Sequence, residues 1–138
     1  MTPPADSAIV VDIDGTLCPI KRTDECYAEL APDAAMVAQL RHYAKEGFRI
    51  VLATSRNMRT YQGNLGLINK HTAPTLIDWL QRHDIPYDEV HFGKPWPGPH
   101  GFYVDDRTIR PREFLELSKA DIEQRLKQDR CHGRTEHV

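Results

Sequence analysis

The stretch AIVVDIDGTLC, residues 8–18, decides the fold. Ala8 to Val11 is a short, continuous apolar run rich in β-branched residues, which predicts a central strand buried on both faces. It ends abruptly in a carboxylate, Asp12, with a second, Asp14, two residues on and Gly15 behind it. Downstream, Pro32 and Asp33 open a segment with Ala35, Met36, Val37, Leu40, Tyr43 and Ala44 near helical spacing, and Gly47 stops it. Phe48 to Ala53 is again apolar and β-branched. Strand, helix and strand in this order predict a right-handed βαβ unit, and hence an α/β fold: a Rossmann-like parallel sheet flanked by helices.

The same reading continues to the C-terminus. Asn57 to Asn69 is rich in Gly and Asn and reads as a loop, and Pro74 to His83 reads as an amphipathic helix carrying Leu76, Ile77, Trp79 and Leu80. Asp88 to Phe92 is a short strand. Gly93 to Gly101 holds three prolines and three glycines and must be loop, and Phe102 to Val104 is a further short buried strand before Asp105. A last amphipathic helix carries Phe114, Leu115, Leu117, Ile122 and Leu126. One domain over residues 8–128 is expected, with an N-terminal tail over 1–7 and a mobile polar tail over 129–138.

Composition narrows the function classes. The 138 residues, 40% hydrophobic and 28% charged, suffice for one self-sufficient core. The net charge of −2 supplies no global attraction to nucleic acid or anionic lipid. Cys18, Cys26 and Cys131 lack paired spacing and read as reduced thiols. With no basic leader or spanning apolar run, the expected location is cytoplasmic, away from membranes. His42, His71, His83, His91, His100, His132 and His137 share no ligand spacing, so a histidine metal site is not expected; His71 alone lies in a loop near the site.

Polar punctuation follows each predicted strand: Asp12 to Thr16, Thr54-Ser55-Arg56, Gly93-Lys94-Pro95 and Asp105-Asp106. In an open parallel sheet that edge is where ligands bind. A lone Asp after a strand is as often a turn or cap residue, but four such ends of these types argue for one site. Carboxylates converging on a point repel unless cations neutralise them. Oxygen ligation by Asp12, Asp105 and a backbone carbonyl, that of Asp14, selects a hard ion such as Mg²⁺, and Lys94 supplies a second positive charge. Between them a phosphoryl group fits, held by the cation, the Thr54 hydroxyl, backbone N–H groups near Asp14 and Ser55, and Lys94.

The ordered motifs DIDGTLC, VLATSRN, HFGKPW and FYVDD resemble the haloacid dehalogenase (HAD) superfamily of aspartate-nucleophile phosphotransferases over residues 9 to about 106. The stretch from Tyr61 to Pro111, with INKHT, IPYDEVHFGKPW and GFYVDDRTIRP, is similar to small HAD proteins associated with bacterial capsular or surface polysaccharide synthesis. The resemblance implies a HAD-like core in which Asp12 attacks phosphorus to form an aspartyl phosphate. Asp14 protonates the leaving group and then activates water, Thr54 and Lys94 hold the transferring group, and Asp105 or Asp106 ligates the metal. The two inter-strand gaps are too short for a cap domain. The implied site is open, completed by a second subunit or a large substrate, so a homo-oligomer is expected.

Arg56, Asn57 and Arg59 are candidates for a second anionic or sugar group against the alternative of solvated loop residues, and Trp96 for a crevice wall, whereas Trp79 reads as core. Lys21, Arg22, Asp24 and Glu25 read either as a flap or as a solvated charge cluster. Arg107 and Arg110 read as structural. The function expected is a Mg²⁺-dependent phosphomonoester hydrolase acting on a sugar phosphate or related metabolite. The alternatives are a nucleic-acid 3′-phosphatase, which would need a basic, aromatic stripe the sequence lacks, and a non-enzymatic phosphoryl-accepting or phosphate-binding module, against which the acid at Asp14 argues.

Overall fold

The computed structural model describes residues 7–130, so the outer part of both expected tails lies outside the described residues. The chain parts into two compact units, Met1–Trp96 and Pro97–Val138.

The first unit is α/β. Strands β1 (Ala8–Val11), β2 (Arg49–Thr54) and β3 (Glu89–Phe92) form a parallel sheet in the order β1-β2-β3. Pairing runs Val11 to Leu52 and Thr54 to Phe92, so the C-terminal ends of all three strands share one edge. Helix α1 (Ala34–Lys45) makes the first crossover and packs on β2. Its start is set by Asp33, whose carboxylate accepts the Met36 N–H at 3.0 Å. The core gathers Met36, Leu40 and Tyr43 of α1 with Ile50 and Leu52 of β2, and with Leu76, Trp79 and Leu80.

β2, not β1, is the strand buried on both faces. β1 pairs with β2 alone among the described residues, and its exposure alternates: Val11 is buried while Val10 is 67% exposed. The apolar run was read as doubly buried because it lacks polar interruption, yet four residues cannot distinguish a central strand from an edge one.

Where one loop and one helix were expected after β2, there are two helices, α2 (Leu65–His71) and α3 (Ala73–Arg82). Asn64 starts α2 by accepting the Leu67 N–H at 3.2 Å. Pro74 has no N–H to continue that ladder, and its fixed φ suits the first turn of a new helix, so the break falls at Thr72. α3 carries Trp79 inward, where the indole N–H donates to the Leu30 carbonyl at 2.7 Å.

In the second unit the expected strand at Phe102–Val104 does not form; the segment is irregular, with Phe102 80% and Val104 89% exposed. Three residues beside a Pro/Gly-rich loop need a ladder partner to become a strand, and the sequence pattern cannot supply one. The expected last helix is two, α4 (Pro111–Glu116) and α5 (Lys119–Asp129). Ser118 divides them by capping α5, accepting the Asp121 N–H at 3.1 Å. Glu113 pairs with Arg125 across the two helices.

Leu52→Ala should destabilise the protein by about 2–5 kcal/mol in denaturant unfolding, as expected for a fully buried leucine. Val10→Ala should cost about 0.5 kcal/mol or less. Equal losses at the two positions would show that β1 is covered on its outer face.

Candidate functional site

The shared C-terminal edge of the sheet carries Asp12 after β1, Thr54 at the end of β2 and Lys94 just beyond β3. Each is aimed by a local device. After Asp12 the chain coils tightly, with the Ile13 carbonyl accepting the N–H groups of Thr16 and Leu17 at 3.1 and 2.8 Å. The coil closes through Gly15, whose φ of +87° is a left-handed conformation that glycine adopts without a Cβ penalty. After β3, Gly93 repeats the device at φ +87°. A Cβ there would come within 2.6 Å of a terminal methyl of Leu65, a half-exposed side chain that can move aside, so it is the positive φ that calls for glycine in the turn that presents Lys94. The Lys94 N–H then donates to the Thr54 carbonyl at 3.1 Å, tying the third strand end to the second.

The result is a contact across 82 residues of sequence: the Lys94 ammonium lies 3.4 Å from Asp12 Oδ1. The other oxygen, Oδ2, accepts the Thr16 hydroxyl at 3.2 Å. Both carboxylate oxygens are thereby oriented, while about a third of the Asp12 side chain stays exposed to an incoming ligand.

Asp14 is held differently. Arg56 donates through Nε to Oδ2 at 3.1 Å and through Nη2 to Oδ1 at 2.8 Å, a two-point fork. The guanidinium is buried, and it lies over the face of Tyr27 with 4.1 Å from Cζ to the ring centroid. The Arg56 N–H also donates to the Thr54 hydroxyl oxygen at 3.0 Å. Thr54 is itself only 1% exposed, so it closes the turn after β2 as well as ending the strand. Removing Asp14 would leave the Arg56 guanidinium buried without its partner, whereas Asp14, a fifth exposed, could still reach water if Arg56 were removed.

Tyr27 belongs to a short 3-10 turn, Tyr27–Glu29, anchored from α3 by the Trp79 bond to Leu30 and by Arg82 Nη2 donating to the Ala28 carbonyl at 2.7 Å. The segment bearing Lys21, Arg22, Asp24 and Glu25 is therefore tethered at its far end. Arg22 and Glu25 pair with each other at 3.6 Å, and Lys21 lies 5.4 Å from the Tyr27 ring centre. Burial raises the Tyr27 hydroxyl above its usual range, with the Asp14 charge adding to the effect.

Cys18 is buried against the same pair. Its Sγ lies 3.8 Å from Asp14 Oδ1, and burial, reinforced by the Asp14 charge, pushes the thiol up to about 12.

Asn57, expected to meet substrate, sits at φ +61°. Its side chain is held within the loop, accepting from the Thr72 hydroxyl at 2.7 Å and donating to Thr60 at 3.2 Å. A cavity of about 60 Å³ opens beside it, lined by Tyr27, Arg56, Asn57, His71, Thr72 and Thr75. His71 stacks on Tyr61 at 5.6 Å. A hollow of about 350 Å³ lies behind the Gly15–Cys18 loop, but none of Asp12, Thr54 or Lys94 lines it. Ser55 lies in the turn that Arg56 closes, and its carbonyl accepts the Met58 N–H at 3.0 Å. Trp96 is partly exposed, with Arg59 5.6 Å from its ring centre.

The second unit holds the Asp-Asp pair. Asp105 Oδ1 accepts the Arg107 N–H at 2.8 Å, and Asp106 lies 3.6 Å from Arg130. Among the described residues no three Asp, Glu, His or Cys side chains form a group that could hold a metal ion. Asp12 and Asp14 alone fall short of the oxygen cage that Mg²⁺ uses, and both their carboxylates are partnered by cationic side chains.

The sequence missed three participants. Thr16 was within the quoted motif and only its hydroxyl's direction was unknown. Cys18 closes the same motif, where an aspartate nucleophile leaves it no chemical task, and Tyr27 had no signal, because its part depends on where α3 holds it.

Fold and edge together define an open, parallel α/β protein with an aspartate–lysine pair at the C-terminal edge of its sheet. A crystal structure of a structural-genomics target from Vibrio cholerae superposes with a TM-score of 0.85 at 45% identity, covering 90% of this chain and 99% of that one. The chain belongs to the same family as that Vibrio cholerae protein. No protein-family model and no curated protein matches it. No helix among the described residues is long and apolar enough to cross a membrane.

With its raised pKa, Cys18 keeps its proton until pH reaches about 12, whereas the unfolded chain releases it near 9.0. Between these limits the unfolded state binds fewer protons, so stability falls as pH rises. Iodoacetamide at pH 8 should label exposed Cys26 while Cys18 stays unmodified until the protein unfolds, as read by peptide mass. Fast labelling of Cys18 in the folded protein would refute its burial.

Proposed function

We propose that the protein is a Mg²⁺-dependent phosphomonoester hydrolase of the HAD kind. It acts in the cytoplasm on a sugar phosphate or related metabolite of bacterial capsular or surface polysaccharide synthesis. The observation that carries the reading is the Asp12–Lys94 contact at 3.4 Å, with Thr16 on the second carboxylate oxygen. It supports an oriented, accessible nucleophile beside a cation at the sheet edge where ligands bind.

In this reading Asp12 attacks phosphorus in line with the departing alkoxide. An O–P bond forms to Asp12 as the ester O–P bond breaks, and Asp14, which enters this step protonated, gives that proton to the leaving oxygen. Water, losing its proton to Asp14, then attacks phosphorus and displaces the Asp12 carboxylate, so that both aspartates return to their starting states. Lys94 balances charge on the transferring group in both steps. The two carboxylates of the first unit do not by themselves make the oxygen cage that Mg²⁺ uses.

That assay is phosphate release from a panel of sugar phosphates, nucleotides and a 3′-phosphorylated oligonucleotide, each with Mg²⁺ and with EDTA. Turnover concentrated on a sugar phosphate and lost in EDTA is expected. Asp12→Asn should lower turnover by at least about 10³-fold with the fold intact by circular dichroism. Retention of more than a few per cent of activity would remove Asp12 as nucleophile, and activity on the oligonucleotide alone would replace the substrate class.

A further inference from the structure

Arg56 was a candidate to bind substrate, but its guanidinium is committed elsewhere. The residue is 4% exposed, Nε and Nη2 are both spent on Asp14, and one face rests on Tyr27. The acceptor sites of Asp14 show what this commitment does. A carboxylate offers two lone-pair sites on each oxygen. Oδ1 accepts from Arg56 Nη2 at 2.8 Å and lies 3.8 Å from the Cys18 thiol, whose one S–H is shared between it and the Ile13 carbonyl at 3.9 Å. Oδ2 accepts only the Arg56 Nε bond, at 3.1 Å, among the bonds described.

We propose that Arg56 is the positioning residue for acid–base catalysis by Asp14, capping Oδ1 together with Cys18 and presenting the open lone pair of Oδ2 for proton transfer. The inference rests on the hydrolase reading above and deepens it. As the ester bond breaks, the proton leaves Oδ2 for the alkoxide. As water attacks the aspartyl phosphate, Oδ2 takes a proton back. Arg56 touches neither substrate nor proton; it fixes which oxygen turns outward. The planar fork is what permits this, since a guanidinium holds the two oxygens in one fixed plane and a rotating ammonium does not. Tyr27, held from α3 through Leu30 and Ala28, keeps the fork from rotating, and the Arg56 N–H bond to Thr54 ties the acid's support to the strand end beside the nucleophile.

A general acid matters for a poor leaving group and little for a good one, so the test compares two esters. Wild type, Arg56→Ala, Arg56→Lys, Asp14→Asn and the Arg56→Ala/Asp14→Asn double variant are assayed on a hexose 6-phosphate and on p-nitrophenyl phosphate. Arg56→Ala should lower kcat on the hexose phosphate by about 10²-fold or more, a typical acid–base contribution. On p-nitrophenyl phosphate the pre-steady-state release of nitrophenolate should slow about tenfold or less, because nitrophenolate departs without a proton, whereas breakdown of the aspartyl phosphate, which both esters share, slows alike. KM should hold in both cases, and the double variant should be no slower than Asp14→Asn. Should Arg56→Ala fail to fold by circular dichroism, Arg56→Lys decides: it keeps the charge but not the fork, and should show the same leaving-group bias to a lesser degree.

Equal losses in the ester-cleavage step of the two esters, read in single turnover, would overturn the proposal in favour of a merely structural pair. A raised KM with unchanged kcat would overturn it in favour of substrate binding. Wild-type protein that hydrolyses neither ester would instead overturn the hydrolase reading, and this inference with it.

Discussion

The parallel register of the three strands is the constraint on which the site depends. Val11 lies opposite Leu52, and Thr54 opposite Phe92, so three chain segments separated by dozens of residues end side by side. A slip of one residue in either ladder would reverse the faces of every side chain on a strand and move the strand end by about 3.3 Å. The contact between Lys94 and Asp12 would not survive that shift. Burial favours that register: Ile50 and Leu52 lie in the core with residues of α1, and a one-residue slip would turn them to the opposite face.

Within that frame the two aspartates of the first loop have been given contrasting partners. Asp12 faces an ammonium at a long 3.4 Å, stays partly exposed and receives a hydroxyl from its own loop. Such a pair is easily remade around an incoming anion, since an ammonium is a compact charge on a flexible stem. Asp14 faces a buried guanidinium at 2.8 and 3.1 Å, backed by an aromatic face. That pair is costly to break and defines an orientation. One exchangeable contact and one fixed contact, two residues apart, suit a nucleophile that must change partners beside an acid that must not turn. The strain of the left-handed Asn57 immediately after Arg56 is held in place by its bonds to Thr72 and Thr60, which brace the loop from α2's end.

The amino-acid sequence by itself determined the α/β class, the first crossover helix, the placement of Asp12, Thr54 and Lys94 at strand ends, and the glycines that turn the chain beside them. These rest on local causes: β-branched runs, helical periodicity, caps and positive φ, each acting over a few residues. Tertiary structure decided the rest. It made β2 the doubly buried strand, since burial depends on neighbours that a four-residue run does not name, and it left Phe102–Val104 without a ladder. It also gave Arg56 to Asp14 across 42 residues and set Tyr27 beneath it. A guanidinium on a loop reads the same in sequence whether it meets solvent, substrate or a buried carboxylate. Only the packing of α3, the 3-10 turn and the first loop around it removes the water that would otherwise compete, and that desolvation makes the choice.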